Sequence, residues 1–431
     1  MWKEPALRGV ANAMKRRFSV LFLLFALLAA ACSSTGTAEL ETSTGSSDDD
    51  SSGDADASDE PEIQNSEPTV DGAQFGLNEE VASRTFMWQT DWSNATIDLD
   101  ELALGIASLD PRDAIPPIDN PNFESPAEAA EWLAPNEPGA LVQEEGVVRF
   151  FPLSIMTRHE IVNTDFGDTP VAVTYCPLCN TALAFDRRVD GETLRLGVSG
   201  LLRLSDMVMW DNVTDSLWQQ ITGEGIVGDF AGTRLDVVST AIVSFEEFST
   251  NFPDGESLSR DTGFGIEYGL NPYTGYSSGS GPIGAFFDKE VDPRFPALSR
   301  VVGVRVGDID KAYSFEDISA TGAINDDIEG QPVTVLWRDG TVDALDQGVI
   351  ASSQAIGTAV AFDPTVNGQV LTFTASGDGF VDDQTGSTWT IVGLATDGEL
   401  AGESLESIAH RNEFWFAWAG FFGETGLVYG E

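Results

Sequence analysis

Two thiols and one imidazole stand out as the residues of this chain equipped for chemistry. Cys176 and Cys179 sit in CxxC spacing within TYCPLCN, Thr174 to Asn180, and His159 lies upstream in RHE, Arg158 to Glu160. Thiols three positions apart can close a small disulfide ring, exchange electrons or bind an ion as thiolates, and Pro177 restrains the turn between them. Met207 and Met209 in DMVMW add two thioethers. Two thiolates, an imidazole and a thioether form a soft donor set that suits copper or zinc better than hard, oxygen-seeking cations. With three Cys and two His in 431 residues, there is too little ligand for a zinc ribbon, a CxxCH haem or a four-thiolate iron–sulfur cluster. The expected site is therefore small: His159, Cys176 and Cys179 together, with Met207 or Met209 as a fourth ligand. In an oxidising compartment the same Cys pair also fits a redox dithiol or a structural disulfide. CPLC follows a β-branched run with no βαβ pattern around it, unlike the thioredoxin arrangement.

The elements that must hold these residues read as a repeat. Phe150 to Leu153 aligns with Ala312 to Phe315, Asn163 with Asn325, and PVAV from Pro170 with PVTV from Pro332, all at one offset. After an insertion, FDRRVDGETL from Phe185 matches FDPTVNGQVL from Phe362, and TDSLW ending at Trp218 matches TGSTW ending at Trp389. Gly223, Gly232 and Leu235 then pair with Gly393, Gly402 and Leu405, and Phe248 and Phe252 with Trp418 and Phe422. Short β-branched runs and the turn dipeptides Asp190-Gly191 and Asn367-Gly368 predict hairpins. Aromatics at helical spacing predict a closing helix in each unit, near Ser244 to Asn251 and Asn412 to Phe421. The expected fold is mainly β (α+β), with two tandem related β-rich lobes from an internal duplication. Repeat 1 spans 146–253 and carries the Cys/His site, while repeat 2 spans 309–431 without it. A Gly-, Pro- and Tyr-rich connector over 254–308 joins them, and a mixed N-terminal extension over 81–145 precedes them. Scaffold residues should recur in both units, whereas site residues need occur in only one. Where repeat 1 has RHE and CPLC, repeat 2 has Thr321 and Gly322, then Arg338 and Thr341; opposite Met207 and Met209 stand Asp378 and Phe380. That asymmetry is what distinguishes His159 from an ordinary core histidine.

The beginning of the sequence reads as an export signal. MKRR from Met14, the apolar run from Phe18 to Leu28 and LAAAC ending at Cys32 are the parts of a lipoprotein signal peptide over residues 1–32. The apolar stretch falls short of the roughly 20 residues that span hydrocarbon. Basic residues directly after Met14 point to it as the translation start. Cys32 would carry the lipid, palmitate included, and the mature protein would sit on the outer side of the cell membrane in the envelope. Residues 33–80, rich in Ser, Thr, Gly, Asp and Glu without Lys or Arg, read as a disordered acidic linker. The whole chain has 22 Lys plus Arg against 70 Asp plus Glu, a net charge of −48. Such a field repels phosphate backbones and excludes nucleic acid as a partner. The expected partner is the membrane, through the lipid; composition names no protein partner.

RHEIVN, VTYCPLCNTALAFDRRVDG, GVSGLLRLSDMVMWD and SLWQQITGEGIVG together resemble the domain-of-unknown-function 3179 family of bacterial and archaeal proteins, many of them exported. DTGFGIEYGLNPYTGY and FWFAW resemble it too, and the likeness covers roughly residues 146–425. The resemblance implies a shared site at His159, Cys176 and Cys179 and supplies no reaction, because the family has no established activity. Two other patterns read as turns. Gly223, Gly225 and Gly228 fit GxGxxG without the strand–helix context that a dinucleotide needs. Gly275 to Gly279 fits GxSxG in a Ser- and Gly-rich stretch with no apolar strand before it. The reading carried forward is an exported, lipid-anchored protein with a soft-metal or thiol-redox site. Its alternative is a non-catalytic envelope binding module stapled by a Cys176–Cys179 disulfide.

Overall fold

Runs of β-branched and aromatic residues, punctuated by turn pairs, fold as successive antiparallel hairpins. The computed structural model describes residues 74–431. The signal peptide, Cys32 and most of the acidic linker lie outside the described residues. Among the described residues no helix is long and apolar enough to cross a membrane.

In the first half, β1 (Pro138–Glu144) and β2 (Val147–Pro152) lead into α1 (Leu153–His159), β3 (Ile161–Phe166), β4 (Thr169–Cys176) and β5 (Thr181–Asp186). There follow β6 (Leu196–Arg203), β7 (Asp206–Asp211), β8 (Leu217–Gln219), β9 (Glu224–Val227), β10 (Val237–Val238), β11 (Thr240–Ser244) and α2 (Phe245–Asn251). The second half runs through β12 (Arg300–Val306), β13 (Ile309–Ser314), α3 (Phe315–Thr321), β14 (Ala323–Ile328), β15 (Gln331–Arg338) and β16 (Thr358–Asp363). It continues with β17 (Phe373–Ser376), β18 (Gly379–Asp382), β19 (Thr388–Trp389), β20 (Ala395–Asp397), β21 (Glu406–Ser407), β22 (His410–Phe414) and α4 (Trp415–Phe422).

Pairing follows the same plan in both halves. One sheet orders β10-β5-β4-β3 and its counterpart β21-β16-β15-β14. A second places β11-β1-β2 beside Glu256–Leu258, and its counterpart β22-β12-β13 beside Leu427–Val428, both late strands joining in parallel. A third orders β6-β7-β8-β9, matched by β17-β18-β19-β20. Asp190-Gly191 and Asn367-Gly368 turn small hairpins with both residues left-handed, at φ 52° and 88° and φ 52° and 79°. Trp218 and Trp389, both fully buried, donate Nε1–H to Asp211 and Asp382 at 2.9 and 3.0 Å.

The pattern begins earlier than the sequence shows. β1 lies within the stretch read as the extension, and β12 within the connector. Gly139 and Ala140 dilute the strand signal of β1, while β12 starts only four residues after Pro296. Ahead of β1, the stretch from the helix Glu79–Thr85 to the strand Leu102–Leu104 adds an edge to β6 and packs Trp88, Trp92 and Leu99 near Val208 and Leu217. Each closing segment reaches the opposite half. Glu247 of α2 accepts from Thr358 Oγ1 of β16 at 2.8 Å, and Phe414 N–H at the end of β22 donates to Cys179 O at 3.0 Å.

Candidate functional site

β4 is buried along its whole length and delivers Cys176 at its last position, paired with Thr181 of β5. Between them Pro177 and Leu178 turn the chain, and Asn180 takes a left-handed φ of 60° while accepting from Tyr175 OH at 3.2 Å. This tight reversal folds Cys179 back toward Cys176, whose carbonyl lies 3.8 Å from the Cys179 Sγ. The β6–β7 hairpin supplies the third side chain. Its turn residues Leu204 and Ser205 are both left-handed, at φ 51° and 61°, although neither is glycine or Asn. The corresponding turn of the second half uses Gly377 at φ 60°. Ser205 N–H donates to Phe286 O at 2.7 Å, and Cys176 Sγ lies 3.8 Å from Ser205 O.

Asp206 opens β7 directly beneath the thiols. Its Oδ1 lies 3.0 Å from Cys179 Sγ, and its Oδ2 accepts from Gln219 Nε2 at 2.6 Å and Ile221 N–H at 2.9 Å. Ligand atoms of Cys176, Cys179 and Asp206 all lie within 4.8 Å of one another, and all three residues are buried. Both cysteines are free thiols. Burial raises the Asp206 carboxyl to about 6 and raises both thiols, Cys179 well above its ordinary value. Deep burial thus disfavours negative charge on three convergent donors, a situation that a bound cation reverses.

His159 is not part of that set. Its Nδ1 lies 2.6 Å from Pro116 O, its Nε2 lies 2.6 Å from Tyr268 OH, and its ring packs on Phe264 at 4.9 Å between centroids. Both ring nitrogens are thereby engaged, and the third ligand-type side chain within 4.8 Å of the two thiols is Asp206. Met207 and Met209 are buried in the same apolar cluster as Cys176 and Cys179, Met209 paired across strands with Val198 and Trp218. Asp206 was hidden by being one acid among 70. The asymmetry between halves marks it all the same, because glycine occupies both the turn (Gly377) and the strand start (Gly379) of the equivalent hairpin.

Glu160, beside His159, shows the same asymmetry. It caps α1 with a left-handed φ of 59° where α3 ends on Gly322 at φ 74°, and both carbonyls accept from the following hairpin, Tyr175 N–H at 2.7 Å and Trp337 N–H at 2.8 Å. Burial pushes the Glu160 carboxyl up to about 8, against the hydrogen bond from Tyr273 OH at 3.2 Å. Glu413 of β22 is also buried. Its carboxyl is raised to about 7, its Oε1 accepts from Arg411 Nε at 3.2 Å, and its Oε2 finds no partner among the described residues.

The two motif look-alikes are ordinary turns and strands here. Gly223 and Gly228, at φ 69° and 100°, flank β9, which carries Gly225 within an antiparallel sheet. Gly275 to Gly279 lies in the connector, where Tyr276 OH donates to Leu178 O at 2.8 Å. No curated protein and no solved structure shows detectable similarity to the chain. The family described as "Protein of unknown function (DUF3179)" matches residues 112–425, a span that takes in both β-rich halves and the thiol–carboxylate set, and the chain belongs to that family.

Proposed function

We propose that Cys176, Cys179 and Asp206 bind a single metal ion, zinc before copper, in a protein exported and held on the membrane by lipid at Cys32. The observation that carries this reading is the convergence of two thiols and a carboxylate within 4.8 Å in a buried setting. The carboxylate turns the donor set toward Zn(II), which takes Cys and Asp together, whereas Cu(I) favours sulfur. Thiol–disulfide exchange fits less well, because it needs an accessible thiolate and burial here favours the protonated thiols. Three protein ligands leave a fourth position on a tetrahedral ion.

Metal content of the purified full-length protein, loaded anaerobically with Zn(II) or Cu(I), tests the reading. One tightly held ion per chain is expected, lost in Cys176→Ser and Asp206→Asn and retained in His159→Ala. Wild type that takes up neither ion as a reduced dithiol would refute it.

The likeness of the halves supports descent from one duplicated unit. Its basis is the shared element order and sheet pairing, together with the matched Trp218–Asp211 and Trp389–Asp382 contacts.

A further inference from the structure

Residues 262–276 of the connector lie against the RHE triplet and the CPLC turn. Arg158 Nη2 donates to Leu270 O at 3.0 Å. His159 Nε2 meets Tyr268 OH at 2.6 Å, and that hydroxyl lies 2.5 Å from Thr262 Oγ1. Glu160 Oε1 accepts from Tyr273 OH at 3.2 Å, and Leu178 O from Tyr276 OH at 2.8 Å. Three consecutive residues and the thiol turn are thus each tied to one fifteen-residue segment. Its attachment to the second half is largely through backbone, Asn271 N–H to Gly348 O at 3.0 Å, Gly275 N–H to Asp346 O at 2.6 Å and a bridge between Leu270 and Val349, with one side-chain bond, Asn271 Nδ2 to Gln347 O at 3.2 Å.

The contacts to the first half all involve side chains, so they can be released without breaking a strand ladder. Gly263, Gly269 and Gly275 punctuate the segment with φ of 78°, 96° and 78°, and no described atom lies within 4 Å of where their Cβ would be. They are positions where the chain can pivot without a steric cost. Cys176 and Cys179, either side of the Leu178 that Tyr276 holds, are 2% and 0% exposed, so an ion reaches them only if something moves. At the position equivalent to His159, Thr321 bonds locally, to Ile318 O of its own helix and to Ala323 O at the start of β14.

We infer that residues 262–276 form a hinged cover over the thiol–carboxylate set, and that Arg158, His159 and Glu160 are the latch that holds it to the first half. His159 is a positioning residue that acts through Tyr268. The inference rests on the reading of the thiols as an ion site for its purpose, but its test does not require a metal.

The test is the rate at which iodoacetamide alkylates Cys176 and Cys179 in the metal-free, folded, full-length protein, read by mass spectrometry. Tyr268→Phe removes the hydroxyl shared by His159 and Thr262, and Gly269→Ala strains the pivot while leaving every latch hydroxyl in place. Each variant is expected to speed alkylation about tenfold, equivalent to about 1.4 kcal/mol in the opening equilibrium. Tyr313→Phe, which removes a buried hydroxyl bonded to Asp326 in the second half, is expected to leave the rate within about twofold of wild type. Wild-type rates in both cover variants would overturn the inference, as would equal acceleration by Tyr313→Phe, which would mean that the thiols react through general unfolding. Faster alkylation in cover variants of a protein that binds neither Zn(II) nor Cu(I) would uphold the cover and remove the metal reading alone.

Discussion

Glu160→Gln isolates the energetic cost of placing an acid beside the thiols. Gln keeps the side-chain volume, the left-handed backbone and an acceptor for Tyr273 OH; it removes the titration, and the cost of its buried NH2 is the same at every pH. In the unfolded chain Glu160 releases its proton near 4.5, whereas the folded protein holds it until about 8. Between those values the folded state binds more protons than the unfolded state, so stability falls as pH rises; the favourable contribution is complete below 4.5 and gone above about 8. Each pH unit inside the window changes stability by about 1.4 kcal/mol, so wild type should lose about 2 to 3 kcal/mol relative to Glu160→Gln between pH 5 and pH 7. Urea unfolding of metal-free protein at several pH values measures this as the difference between two curves, and contributions from distant groups cancel in the subtraction. Asp206 is coupled to Glu160 and leaves a residual. Parallel stability–pH curves for the two proteins would show that the Glu160 carboxyl is already ionised in the fold and would refute the reasoning.

Further outcomes follow from the packing. Gly228→Ala and Gly398→Ala should each cost more than about 2 kcal/mol by urea midpoint, because a Cβ would meet Ser216 or Ser387 backbone at 2.8 or 2.6 Å in a left-handed conformation. Gly368→Ala, at φ 79° in open space, should cost only about 1 kcal/mol. Trp218→Phe and Trp389→Phe should each lose about 1 to 3 kcal/mol by removing one donor from a buried Asp oxygen, with the smaller loss at Asp382, whose Oδ2 keeps Thr385 Oγ1 and Ser387 N–H at 2.9 and 3.1 Å. Cys32→Ser should release the protein from the membrane fraction while its unfolding midpoint stays unchanged; retention after an alkaline wash would count against lipid anchoring.

The sequence is most legible where local chemistry dictates local shape. Asp190-Gly191 and Asn367-Gly368 announce their turns because few other pairs accept two left-handed residues, and Trp218 and Trp389 mark equivalent buried places. The closing helices were legible from their aromatics. β1 and β12 were obscured because strand pairing with β11 and β22 is a long-range matter that short windows do not register. The site was half legible. CPLC identifies itself by spacing, but what stands beside it depends on the β6–β7 hairpin folding over the turn, and that brought Asp206 rather than His159 to the thiols. The partners of His159 and Glu160 come from Tyr268 and Tyr273, more than a hundred positions downstream, in a segment whose composition suggested only a connector.

Around the thiols, the first half places Glu160, Leu204 and Ser205 in left-handed conformations, where the second half uses Gly322 and Gly377 at the α1/α3 caps and the hairpin turns. Each such side chain carries a penalty of roughly 1 to 2 kcal/mol that glycine avoids. Since the closing segment of each half is pinned to the other, the halves stand or fall together, and the relaxed one acts as a counterweight to the strained one. The tolerance of the site to mutation is then set at a distance. Substitutions that firm up the second half should widen the range of residues that the first half can accept around its thiols, and an evolutionary change of ligand would be cheapest in a lineage whose second half had been reinforced first.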